Sequence, residues 1–122
     1  MCCDCSDAAW DLQDRTRLFA LAVLTFCRRL PGTQEAQEAA GQLRRAANAV
    51  RSNYRAARRG RSRAEFKAKR GTVFEEADEC VDWLVYLRDG RIQHDAALLR
   101  EAEELARIFA TALRPVKGKP RV

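Results

Sequence analysis

Arg51-Ser-Asn-Tyr-Arg55-Ala-Ala-Arg-Arg-Gly60-Arg-Ser-Arg-Ala-Glu65-Phe-Lys-Ala-Lys-Arg70 holds the end of one helix, a break and the start of another. Up to Arg59 the strong helix formers Arg and Ala predominate. Gly60 interrupts them. Ser62-Arg63-Ala64-Glu65 then has the spacing of a capping box, in which the Ser62 hydroxyl accepts from the Glu65 amide and the Glu65 carboxylate reaches back. The segment predicts a helical hairpin with a short turn. It also carries nine basic residues and one acid. Its local charge is therefore +8 in a chain whose formal total is +6, and the remainder carries −2.

Backwards from this hairpin, the second helix runs from about Gln34 to Arg59, with Thr33 as its cap and Glu35 in its first turn. Its apolar seam is Ala36, Ala39, Leu43, Ala46, Val50, Asn53 and Ala57, in alternating steps of three and four. Leu30-Pro31-Gly32 ends a first helix drawn from about Ala8 to Arg29, with core positions Leu12, Phe19, Val23, Phe26 and Leu30. Forwards, the third helix runs from about Arg63 to Arg88 through Phe66, Arg70, Val73, Ala77, Cys80, Leu84 and Leu87. Asp89-Gly90 closes it. A fourth helix follows from about Asp95 to Arg114, with the seam Leu98, Ala102, Leu105, Phe109 and Ala112.

No proline lies between Pro31 and Pro115, as long helices require. Short connections between four amphipathic helices predict an all-α, antiparallel up-down-up-down four-helix bundle over residues 7–114. Residues 1–6 read as a disordered Cys-rich start, and residues 115–122, with Lys117, Lys119 and Arg121, as a flexible basic tail.

At 122 residues, 47% hydrophobic and 33% charged, the chain suits one globular domain. Met1–Cys5 lacks the basic and apolar regions of a signal peptide. The longest apolar run, Leu18–Cys27, is shorter than the ~20 residues a bilayer span needs. The expected setting is cytoplasmic, away from membranes. Five cysteines do not make a secreted disulfide framework.

The first helix is apolar around its whole circumference from Leu18 to Leu24. A bundle buries one stripe of each helix. Leu18, Leu21 and Leu24, with Trp83 and Tyr86 on the third helix, either widen the core or form an interface with another copy of the chain.

Arg15-Thr16 with Phe19-Ala20, Arg29-Leu30-Pro31, Gln42-Leu43-Arg44-Arg45-Ala46, Ser52-Asn53-Tyr54-Arg55 and Arg61–Phe66 occur in this order. Glu75-Glu76-Ala77-Asp78-Glu79, Trp83-Leu84, Glu104-Leu105 and Ile108-Phe109 continue it. With these motifs the chain, from about Asp11 to Thr111, resembles the four helix bundle protein family, also called the 23S rRNA intervening-sequence protein family. The resemblance implies a left-handed bundle assembling as a ring-like homopentamer, encoded within inserts in bacterial ribosomal RNA genes, with no established enzymatic activity. It also implies a relationship to the accessory variability determinant of diversity-generating retroelements, a pentamer that binds nucleic acid and a reverse transcriptase. Ala56, Arg58 and Arg70 depart from the family pattern, each making this end more positive.

The candidate nucleic-acid-binding residues are Arg51, Arg55, Arg58, Arg59, Arg61, Arg63, Lys67, Lys69 and Arg70. Arg51, Arg55, Arg58 and Arg59 share roughly one helical face, as do Arg63, Lys67 and Arg70 across the turn, so both sets converge at one end of the bundle. Such a cluster binds phosphates by Coulomb attraction and counterion release without base contacts. The plain alternative is a solvated charged face, but that usually mixes signs. Tyr54 and Phe66 are expected to face the core, which argues against base stacking and for backbone-driven binding. The resulting expectation is a non-enzymatic oligomer that binds nucleic acid, RNA favoured. A scaffold for a mobile-element protein such as a reverse transcriptase is the other reading.

Asn53 and Arg70 are polar residues at seam positions, and Arg45 is expected to form a structural ion pair with Glu76 or Glu79 across the hairpin. A ferritin-type di-iron site needs two Glu-x-x-His motifs, and the only histidine is His94, preceded three residues earlier by Arg91. An all-carboxylate magnesium site on Glu75, Glu76, Asp78, Glu79 and Asp82 stays open as the minor reading. Cys2, Cys3 and Cys5 are poorly spaced for zinc. Cys27 and Cys80 read as core fillers. No cofactor, metal or catalytic residue is expected.

Overall fold

The computed structural model describes residues 7–59 and 62–113, with side chains from Leu12 to Thr111 except at 60–61. Four helices account for the regular structure: α1 (Asp7–Arg28), α2 (Gln34–Arg58), α3 (Arg63–Asp89) and α4 (Ala96–Leu113). No strand occurs among the described residues. Each helix packs on its successor, and α1 also packs on α4, while the backbones of α1 and α3 stand apart across the core. The helices therefore form a four-helix bundle with α1 and α3 at opposite corners. Among the described residues, no helix is long and apolar enough to cross a membrane.

The helix starts lie where side-chain oxygens can satisfy the free amides of a first turn. Thr33 Oγ1 accepts from the Ala36 amide at 3.3 Å, and Ser62 Oγ from the Glu65 amide at 3.0 Å. Asp95 Oδ1 accepts from the Leu98 amide at 3.0 Å, so this residue caps α4 from outside. The end of α3 differs from the expected glycine stop. Gly90 keeps a right-handed conformation, and Arg91 takes the left-handed one, with φ 60°. The Ile92 amide donates to the Leu87 carbonyl at 3.0 Å and the Arg91 amide to Arg88 at 2.9 Å. That pair of bonds is a Schellman motif with arginine where glycine is usual.

The core is built from Phe19, Val23 and Phe26 of α1, Leu43 and Val50 of α2, Val73, Leu84 and Leu87 of α3, and Leu105 and Phe109 of α4. Alanines fill the close approaches of α2, at Ala36, Ala39, Ala40, Ala46, Ala47 and Ala57. At the seam position drawn for Asn53, the fully buried residue is its neighbour Tyr54, whose ring lies 5.5 Å from that of Phe109. Asn53 is half-buried. Thr16 is buried and donates to the Gln13 carbonyl at 3.0 Å, closing its hydroxyl inside α1. Leu12 is half-buried against the core, and Ala112 lies outside the residues whose side chains are described.

Candidate nucleic-acid interface

Helix α2 ends and α3 begins with the same residue type, arginine, on either side of the turn. Arg55, Arg58, Arg59, Arg63 and Lys67 are exposed there. Ser62 fixes the start of α3, and the Arg59 amide closes the last turn of α2 onto the Ala56 carbonyl at 3.0 Å. Caps at both sides thus hold the cations on helical backbone and not on a slack loop. None of these five side chains closes an ion pair within 4 Å among the described residues; the ion pairs lie elsewhere. Unpaired cations at close spacing raise the local potential and concentrate anions. Arg61 lies outside the described residues, as do Cys2, Cys3, Cys5 and the segment 115–122.

The other three predicted patch residues are set apart. Arg51 is half-buried, and its Nη2 and Nε donate to Asn48 Oδ1 at 3.3 and 3.4 Å. It lines a groove between α1 and α2 with Arg17 and Arg55. Lys69 is half-buried. Arg70 turns inward: its guanidinium carbon sits 5.0 Å from the Phe66 ring centre and 6.0 Å from that of Phe109. Its Nε is buried without a hydrogen-bond partner. Phe66 itself is half-buried, and Tyr54 is buried, so no exposed aromatic ring flanks the five turn cations among the described residues.

The expected ion pair of Arg45 with Glu76 or Glu79 is corrected by the structure. Arg45 is exposed and donates to Gln42 at 3.3 Å. Glu79 accepts from the indole nitrogen of Trp83 at 3.3 Å. Glu76 is held above the ordinary carboxylate range by burial, then by repulsion from Glu79 and Glu75, with Arg45 pulling the other way at longer range. The well-formed ion pair joins α1 to α4 instead. Arg15 holds Glu101 with two donors, Nη2 at 2.8 Å and Nε at 3.1 Å. This forked geometry is the strong form of an arginine–carboxylate contact. Arg15 and Glu101 have seam spacing next to Leu12 and Leu98, but spacing alone does not single them out among the charged residues of α1 and α4.

The surplus apolar residues divide between faces. Leu18 is 50% exposed beside α4, Leu21 and Leu24 line the α1–α2 groove, and Tyr86 is 55% exposed on α3 with its ring edge-on to Trp83. Cys27 and Cys80 are buried, and desolvation raises both thiols, Cys80 most, leaving them poor nucleophiles. The Cys27 thiol donates to the Ala40 carbonyl at 3.7 Å. Glu75, Asp78, Glu79 and Asp82 of α3 lie along a shallow exposed depression that Glu76 does not line, and no group of side chains among the described residues has metal-binding geometry.

No family model matches the chain, and no curated protein matches it. Among solved structures, the bundle is similar to a protein with unknown function from the S23 ribosomal protein family of Bacteroides thetaiotaomicron. The TM-score is 0.75 at 22% identity, over 85% of this chain and 99% of that one. The likeness establishes the four-helix fold.

Proposed function

We propose that this protein is a non-enzymatic accessory protein that binds nucleic acid, RNA in preference, through the phosphates, and that it works as a homo-oligomer. The observation that carries this reading is the cluster of five exposed cations, Arg55, Arg58, Arg59, Arg63 and Lys67, at the end of α2 and the start of α3, none of them in an ion pair among the described residues. Their density suits a phosphate backbone, and the lack of exposed aromatic rings beside them suits weak sequence preference. The resemblance to the 23S rRNA intervening-sequence family supports RNA as the ligand, and the S23 ribosomal protein family of the structural neighbour points the same way. In this reading the bundle is antiparallel, up-down-up-down, and assembles as a ring-like pentamer in the cytoplasm, related to the accessory determinant of retroelements. Repetition around a ring multiplies the field of each cationic turn.

Replacing Arg55, Arg59, Arg63 and Lys67 together by Glu is expected to abolish RNA retention on filters at low salt while helicity by circular dichroism stays at the wild-type level. Unchanged retention rejects the proposal. Loss of RNA binding in the wild type, with tight capture of a purified reverse transcriptase, would make the protein a scaffold instead.

A further inference from the structure

Two faces of the subunit are uncovered, and they are opposite in character. The first is a groove of about 300 Å³ on the outside of the α1–α2 pair. Arg17, Leu21 and Leu24 follow one another along α1 in steps of four and three, and Arg44, Asn48 and Arg51 do the same along α2. The floor is leucine, with Leu21 48% exposed, and the α2 wall is cationic. The second is a stripe on α3, where Glu75, Asp78, Glu79 and Asp82 recur at helical spacing beside Val81 and Val85. Exposed Tyr86 extends it.

Within the described residues, Asp14 pairs Arg17 at the groove's edge, and most of the other charges of both surfaces have no ion partner. Among the described residues, no ion pair within 4 Å involves Arg44, Arg51, Glu75, Asp78 or Asp82. The two surfaces share no lining residue, and α1 and α3 stand at opposite corners of the bundle. One chain cannot bring them together, whereas two copies can. Both surfaces carry charge toward the α2–α3 turn, at Arg17 with Arg51 and at Glu75, and both carry apolar residues farther from it, Leu24 beside Arg44 on one and Val85 with Tyr86 on the other.

We propose that the acidic α3 stripe of one subunit seats in the Arg44–Arg51 groove of the next, with Leu21 and Leu24 covered by Val81, Val85 and Tyr86. The inference rests on the self-association proposed above and adds the surfaces that make it. Because the surfaces differ, the contact is heterologous: every subunit offers both, and repetition gives a closed ring or an open filament rather than a two-fold dimer. A nucleic-acid strand does not fit this groove. Its floor is apolar, and Asp14, paired with Arg17 at 2.7 Å, places a negative charge beside it. The basic segment is thereby divided, with Arg51 given to assembly and the turn cations left for phosphate.

The test is mass by light scattering on the full chain, with helicity as the control for folding. The wild type is expected at a multiple of 13.8 kDa. Arg44→Glu with Arg51→Glu is expected to drop the mass to that of a single chain, as is Asp78→Arg with Asp82→Arg. All four changes in one chain restore the pairing with its signs exchanged, and the assembled mass is expected to return. A wild type that stays at 13.8 kDa overturns self-association and this inference together. An assembled wild type whose mass survives either reversal, or a fourfold variant that stays monomeric, overturns the pairing of surfaces alone.

Discussion

A single inward arginine shows how sequence position and chemical environment can diverge. Arg70 falls on the α3 seam by its spacing and in the basic patch by its charge. In the bundle it lies between the rings of Phe66 and Phe109 with a buried, unpartnered Nε. An unsatisfied buried donor costs about 1–3 kcal/mol, and the two cation–ring contacts together return about 1–2 kcal/mol. At their midpoints the penalty exceeds the return by roughly 0.5 kcal/mol, and a thioether in the same place keeps a favourable contact with the rings. Arg70→Met keeps an unbranched apolar filler and removes the orphaned donor, so it is expected to raise stability by about 1 kcal/mol. A rise in the urea midpoint at unchanged slope would register this. RNA retention is expected to stay as in the wild type, because the five exposed cations are untouched. A lower midpoint would mean that the guanidinium has a stabilising partner. The seam pattern was enough to place Arg70 near the inside. Its contact with Phe109 was not legible, because that residue comes from another helix and only the packing of α3 on α4 brings the ring there.

Helices were the most legible level, because their starts and stops are written in local chemistry. The Thr33 and Ser62 caps act within three residues of themselves, so sequence alone locates them. The seams of α2 and α3 were legible where small or aliphatic residues recur. The pattern slipped at Asn53, where the neighbouring Tyr54 takes the interior position because its ring can reach Phe109. The end of α3 was legible only to within one residue. Gly90 marks the stop, but the left-handed residue is Arg91. A side chain there costs roughly 1 kcal/mol against the backbone. Arg91→Gly is therefore expected to raise stability by about 0.5–1 kcal/mol, part of the relief being returned to the freer unfolded chain. Gly90→Ala is expected to lower it, since the added Cβ would lie 3.1 Å from the Tyr86 carbonyl oxygen. Thermal melts of the two variants, opposite in sign from adjacent positions, would check the cap.

For the whole molecule, charge is sorted rather than balanced. The segment around the α2–α3 turn carries +8, and the rest of the chain is slightly acidic, with four of its carboxylates gathered on the outer face of α3. That sorting was plain in the sequence. The division of the basic segment into turn, groove and interior was not, because Arg55, Arg51 and Arg70 differ only in what other helices place beside them. If the exposed cations work as proposed, their effect must appear as counterion release. Five cations, each neutralising one phosphate of a single strand, give a slope of about −3.5 in log Kobs against log salt for each engaged subunit. Arg59→Ala with Lys67→Ala is expected to flatten that slope by about 1.4. Arg45→Ala, remote from the turn and exposed, is expected to leave it unchanged. Fluorescence anisotropy with a short labelled RNA over a series of salt concentrations reads all three, and a loss of about 0.7 in slope from Arg45→Ala, the same per charge, would show that overall charge, and not the turn, holds the strand.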